Sequence, residues 1–231
     1  MPLTDRVILI TGANGGLGAA VTKAFLDAGA RVAGVAKKIQ NSDFPHPNFT
    51  ATSAELGSAD AARAVVGATI AKWGRIDVLV HLVGGFAGGK SVAETDDALL
   101  EQMLEVNLLA AFHMFRAVLP DMRTRGAGHI LAIGSRTAVD PQPMVGAYSA
   151  SKAALVSLVG TIALENKDRG ISANVILPGT MDTPPNRTAM PGADPAKWVR
   201  PAQVASLLVH LASDEASQIS GAVIPIFGND L

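Results

Sequence analysis

Val7-Ile8-Leu9-Ile10-Thr11-Gly12-Ala13-Asn14-Gly15-Gly16-Leu17-Gly18 is the stretch that decides the fold. Its aliphatic, partly β-branched start reads as a strand buried on both faces. Ala19–Ala28 then reads as a helix with one apolar face, stopped by Gly29. A second strand follows at Arg31–Ala36. Strand, glycine turn, helix and strand in that order make a dinucleotide-binding βαβ unit. The glycines let the backbone approach a pyrophosphate, and the helix N-terminus offers unpaired N–H groups with a partial positive charge.

The same alternation continues to the end of the chain. Strands are expected at 6–11, 31–36, 48–52, 76–83, 128–134, 172–177 and 222–227, and helices at 16–28, 58–73, 96–122, 147–168 and 201–212. This predicts an α/β fold, a single-domain, Rossmann-like, doubly wound parallel sheet of about seven strands with helices on both faces. No linker or repeat divides the 231 residues. Thr180–Arg200 carries four prolines and follows a Pro-Gly turn, which marks about 180–200 as the substrate lid.

Composition removes several function classes. With a formal net charge of −1 and 17% charged residues there is no basic face for nucleic acid. The absence of cysteine excludes disulfides, thiolate catalysis and iron–sulfur ligation. The five histidines lack metal-ligand spacing, so no metal is expected. The first strand starts too early for a signal peptide, and no charge-free stretch nears the ~20 residues of a membrane span. A cytoplasmic protein is the resulting expectation.

Tyr148, the only tyrosine, is followed by Lys152 in Tyr148-Ser149-Ala150-Ser151-Lys152, and Ser135 lies thirteen residues upstream, just after the apolar run Ile130–Ile133. On a helix, residues four apart share a face, which puts a phenol and an ammonium in one space. The cation is then expected to draw the phenol's pKa from about 10 toward neutrality and make it a general acid. Ser135 in Gly134-Ser135-Arg136-Thr137 lacks the Gly-x-Ser-x-Gly elbow of a hydrolase.

Gly12-x-x-x-Gly16-x-Gly18, Tyr148-x-x-x-Lys152 and Ser135 together resemble the short-chain dehydrogenase/reductase family, over nearly the whole chain. Ile76–Val80, Asn107, Asn174–Gly179 with Thr183, and the run from Gly221 to Gly228 match further motifs in order. The resemblance implies hydride transfer between a nicotinamide and a carbonyl or alcohol. Tyr148 would be the proton donor, Ser135 a hydrogen-bond donor to the same oxygen, Lys152 the group that tunes Tyr148, and Asn107 the holder of a relay water. It also implies cofactor contacts from Thr11, Gly12, Asn14, Gly16, Leu17, Gly18, Lys37, Glu55, Leu56, Val83, Gly84, Tyr148, Lys152, Pro178, Gly179 and Thr183.

Two departures from the family pattern sharpen the reading. After the fourth strand the chain has His81-Leu82-Val83-Gly84 where Asn-Asn-Ala-Gly is usual, and His81 is read as a sheet brace. Gly84-Gly85-Phe86-Ala87-Gly88-Gly89 and the lid resemble dihydropteridine reductase, so a quinonoid pterin is an alternative to a ketone; Ser135 argues for the ketone. A non-catalytic NADP(H)-binding sensor is the alternative from another class. Strand two ends in Ala36-Lys37-Lys38 with no acid for a ribose 2′-OH, which points to NADP(H), with NAD(H) as the second choice. The partner expected is a small-molecule substrate, with neither nucleic acid nor membrane. Apolar helices at 96–122 and 147–168 suggest a homodimer or homotetramer.

Overall fold

The computed structural model describes residues 3–229. Seven parallel strands form one sheet in the order β3-β2-β1-β4-β5-β6-β7: β1 Val7–Thr11, β2 Arg31–Ala36, β3 Phe49–Ser53, β4 Val78–His81, β5 Gly128–Ile133, β6 Ile171–Pro178 and β7 Val223–Ile226. The order reverses between β1 and β4, and a ligand crevice opens at such a switch point, beyond the carboxyl ends of the strands.

Alternation along the strands builds two cores. Ile8, Ile10, Val78, Val80 and Leu131 face α1 (Gly18–Asp27) and α7 (Pro201–Leu211). Leu9, Leu79, Ile130 and Ala132 face α2 (Ala59–Trp73), α4 (Ala110–Arg125) and α5 (Gly146–Asn166). Both faces of β1, β4 and β5 are therefore apolar, which is why these strands read as continuous hydrophobic runs. Phe25 on α1 is fully buried against the first core. Truncating it to alanine costs about 3–5 kcal/mol by lost transfer energy and a cavity. At the opposite end of the strands, Asp77 ties β1 to β4, accepting the Val7 N–H (2.8 Å) and pairing with Arg75 and Arg125.

Several expectations are corrected. Strand four is confined to Val78–His81, because residues beyond it turn into an irregular glycine segment. The long helix expected at 96–122 is α3 (Asp97–Leu104), a π turn at Glu105–Leu109 and α4, which runs through Pro120 to Arg125 and stops at left-handed Gly126 (φ +66°). The lid contains a short helix, α6 (Pro184–Ala189), started by proline at its first turn. The apolar surplus assigned to the long helices is also smaller than expected: Met103, Phe115, Leu155, Val159 and Ile162 are all buried in the core, which leaves Leu100, Leu109, Phe112 and Leu164 exposed. By length and composition alone Asp97–Arg125 and Gly146–Asn166 are long and apolar enough to cross a membrane, although neither is charge-free: Glu105 and Arg116 lie in the first and Lys152 in the second. Both nonetheless pack on the sheet, through Phe115, Leu155, Val159 and Ile162.

Candidate active site

The crevice is lined first by the carboxyl ends of β1 and β4. Thr11 pairs with His81 across the sheet, and Thr11 Oγ1 lies 3.0 Å from His81 Nδ1. The same hydroxyl oxygen accepts the Leu82 N–H (3.1 Å), so it fixes the path of the chain as it leaves β4. Burial, reinforced by the Lys152 charge, lowers the His81 pKa to about 3. The ring is neutral at physiological pH and braces the sheet, in line with its reading as a structural residue.

The glycine loop admits no side chains where it turns. Gly12 is left-handed (φ +72°), a conformation that L side chains rarely adopt. A Cβ on Gly18 would fall 1.9 Å from the Gly12 carbonyl oxygen, inside any contact distance. The loop also meets the lid, since a Cβ on Gly16 would stand 3.1 Å from Thr183. Leu17, just before α1, is buried in the first core and anchors the loop. A backbone packed this closely, at the start of a helix, fits the pyrophosphate of a dinucleotide.

Ser135 follows β5, and Tyr148 and Lys152 lie in the first turns of α5. All three border one cavity of about 840 Å³, together with Gly84, Pro178 and Gly179. Burial raises the Tyr148 pKa, and a hydrogen bond from Ser135 pulls it partly back. Burial lowers the Lys152 pKa to about 8. Its ammonium donates to the Ile133 carbonyl at 2.9 Å. The expectation that Lys152 draws Tyr148 toward neutrality is therefore not met: desolvation outweighs every other influence on the phenol.

Asn107 sits in the π turn and is fully buried. Extra-residue turns of this kind recur at functional sites because they re-aim a side chain. Asn107 Oδ1 accepts the Gly85 N–H (2.9 Å), while Nδ2 donates to the Gly85 carbonyl (3.0 Å) and to Ser151 Oγ (3.1 Å). A Cβ on Gly84 would stand 2.8 Å from Asn107 Oδ1 and 3.1 Å from Lys152 Nζ, so glycine is required where the three meet. The side-chain amide is thus spent on Gly85 and Ser151, a bracing role that differs from the expected holding of a relay water.

At the far rim, Lys37 forms an exposed ion pair with Glu55, brought together by the β2–β3 pairing of Ala36 with Ser53. Asn14 Nδ2 donates to the Lys38 carbonyl (2.6 Å) and to Asp43 Oδ2 (3.2 Å). Lys38 has no ion pair among the described residues. The Leu56 side chain is buried in the second core, which removes it as a side-chain contact for a cofactor. Val83 packs against that same core at the start of the glycine segment, while Gly179 N–H is held by the Ile226 carbonyl (2.9 Å).

Phe86 lies in the quoted glycine-rich motif but is absent from the expected catalytic and cofactor contacts, and the structure adds it to the site. Its ring meets that of Tyr148 edge-to-face, with centroids 5.0 Å apart and planes at 77°. The signal available in the sequence is a lone aromatic residue between two glycine pairs.

Comparison with known proteins follows the same outline. The family model described as short chain dehydrogenase matches residues 6–193. The short chain dehydrogenase ausX of Penicillium brasilianum is 31% identical, over 97% of this chain and 95% of its own. Dehydrogenase/reductase SDR family member 4 of Bos taurus is 28% identical, over 100% of this chain and 88% of its own. Among solved structures, gox2181 superposes with a TM-score of 0.90 at 25% identity, covering 98% of this chain and 95% of that one. ElxO with NADP bound superposes with a TM-score of 0.91 at 23% identity, covering 96% and 97%.

Proposed function

The chain belongs to the short-chain dehydrogenase/reductase family, and from that premise we propose that it is an NAD(P)(H)-dependent oxidoreductase that interconverts a carbonyl compound and its alcohol. The observation that carries the reading is the meeting of Ser135, Tyr148 and Lys152 on one cavity, next to a loop too tight for side chains. When bound, the nicotinamide supplies or accepts the hydride.

The chain's own residues handle the proton and the charge. Tyr148 keeps its proton at neutral pH, because burial raises its pKa, and gives it to the oxygen that becomes negative. Ser135 donates a hydrogen bond to that same oxygen. Lys152, with a pKa near 8, is mostly charged at neutrality yet close enough to titration to return a proton toward Tyr148. Asn107 holds the Gly84–Gly85 wall against Lys152. The glycine loop with Thr11 and Asn14, the Val83–Gly84 turn, and Pro178, Gly179 and Thr183 would border the dinucleotide.

NADP(H) is the preferred cofactor in this reading. No acid ends β2, and Lys38 stands beside the glycine loop without a carboxylate partner among the described residues, whereas Lys37 must first leave Glu55. The solved relative ElxO holds NADP. A phosphate monoester carries nearly two charges at neutral pH, so one ammonium contributes about 1–3 kcal/mol, or roughly 5- to 150-fold in preference. The protein works in the cytoplasm on a small molecule, and assembles as a homodimer or homotetramer through the exposed Leu109, Phe112 and Leu164.

The test is Tyr148→Phe with NADPH and a ketone panel. It lowers kcat by about 10²–10⁴-fold and leaves cofactor affinity nearly unchanged. Retention of more than about a tenth of kcat would remove the acid from the mechanism. Wild-type protein that binds NADPH but oxidises it with no carbonyl compound would favour the sensor. Comparing kcat/KM for NADPH and NADH in Lys37→Ala and Lys38→Ala tests the cofactor reading; an unchanged preference in both variants counts against it.

A further inference from the structure

Phe86 is a large aromatic ring left 68% exposed on an enzyme wall otherwise built from Gly84, Gly85, Ala87, Gly88 and Gly89. Every neighbour on that wall is glycine or alanine, so its ring is the dominant apolar surface there. Nothing about its position is loose. Asn107 grips the preceding residue at both the N–H and the carbonyl of Gly85. On the other side Gly89 N–H donates to the Met144 carbonyl at 2.8 Å. Met144 itself is held at φ +67°, a strained conformation for a residue with a side chain. A Cβ on Gly88 would strike Val145 at 2.8 Å and Phe86 itself at 3.3 Å. Both ends of the segment are therefore fixed and the ring is aimed.

It is aimed at the reacting centre. The edge-to-face contact with Tyr148 makes an aromatic corner, and the cavity runs from that corner to Met181 and Met190 of the lid. Resting on the carbonyl-reductase reading above, we propose that Phe86 is a substrate-contacting residue that seats the flat ring of a cyclic carbonyl compound, with the oxygen toward Tyr148 and Ser135. The exposed ring face is covered when such a ring binds, and an open-chain substrate gains little from it because it presents no flat surface. Aromatic faces prefer offset or edge contact with another ring, which gives orientation as well as affinity. The Phe86 ring also packs edge-to-face on the phenol, whose burial raises the Tyr148 pKa.

The experiment compares wild type, Phe86→Ala and Phe86→Leu on 1-indanone and α-tetralone, whose carbonyls are fused to a flat aromatic ring, against methyl butyl ketone, with saturating NADPH. In Phe86→Ala, kcat/KM falls roughly tenfold for the ring ketones, mainly through KM, and by less than about twofold for the open-chain ketone. Phe86→Leu, which keeps bulk without a flat face, falls between. Because Tyr148 is the only tyrosine, phenolate absorbance reports its ionisation alone, and Phe86→Ala moves that titration down toward the ordinary tyrosine range. Equal losses for ring and open-chain substrates, with wild-type turnover intact, overturn this proposal alone, as does an unmoved phenolate titration. Absence of turnover of any carbonyl compound by wild type overturns the underlying reading and the proposal with it.

Discussion

Replacing Lys152 with methionine should abolish activity yet make the protein more tolerant of denaturant at neutral pH. Burial has moved the ammonium from its ordinary value of 10.5 to about 8, and its hydrogen bond to the Ile133 carbonyl does not offset that loss of solvation. At 1.36 kcal/mol per unit, holding the charge inside the fold costs about 3 kcal/mol at pH 7. The sign follows from proton counting: between about pH 8 and 10.5 the unfolded chain binds the proton and the folded one does not. Stability therefore rises with pH across that window, and the cost is present in full only below it. Lys152→Met has no such group. The wild-type minus variant difference should accordingly shift by about 2–3 kcal/mol in favour of wild type between pH 7 and pH 10. Urea unfolding of both proteins at several pH values measures it directly, and subtraction cancels the titrations they share. A difference that stays flat over this range would show that Lys152 is not a desolvated cation, and the proton-return role assigned to it would fall as well.

Gly18→Ala places a methyl 1.9 Å from the Gly12 carbonyl, so the loop must open; calorimetric titration should show NADPH affinity lowered by more than about tenfold. His81→Asn should flatten acid denaturation monitored by circular dichroism. His81 is held neutral far below its ordinary pKa of 6.5, so in wild type the unfolded state takes up an extra proton as pH falls from 6.5 toward 3 and stability is lost in that interval. An equally steep loss in the variant would assign the effect to other groups. Light scattering at micromolar concentration should give twice or four times the 23.7 kDa chain mass, and Leu164→Lys, on a residue 74% exposed, should reduce it if α5 forms the contact. A monomeric wild type would refute assembly.

Local signals carry most of the fold. Val7–Ile10, Val78–Val80 and Ile130–Ile133 announce strands because both of their faces are apolar, and that same arrangement builds the two cores. Gly12 and Gly18 announce the loop because no other residue fits there. Tyr148 and Lys152 are visible through helical spacing once it is joined to Ser135 and the glycine loop. What is illegible depends on partners distant in the chain. The π turn exists where Asn107 reaches Gly85, 22 residues away, and no helical propensity encodes that bond. The Lys37–Glu55 pair arises from strand register. Ionisation escapes the sequence for a related reason: spacing predicts a neighbouring charge, whereas desolvation depends on everything packed around the phenol. Thr183-Pro184 does carry a helix-start signal for α6, masked by the density of prolines around it.

The seam between Thr11 and His81 has a consequence for how the protein is made. Gly12 rests on the backbone of Leu82 and Val83, where an added Cβ would stand 3.4 Å away, and Thr11 is bonded to His81, 70 residues downstream. Gly16 lies against Thr183, farther still. On the ribosome, the glycine loop emerges long before either support. The nascent βαβ unit has its local helix and its β1–β2 pairing, but the crevice lacks one wall until β4 docks and lacks its cover until the lid follows. Parallel pairing across such sequence distances is slow, since the loop entropy is lost before the contacts form. Chains halted before residue 81 should therefore fail to bind nucleotide, because the glycine loop still lacks the wall that β4 supplies.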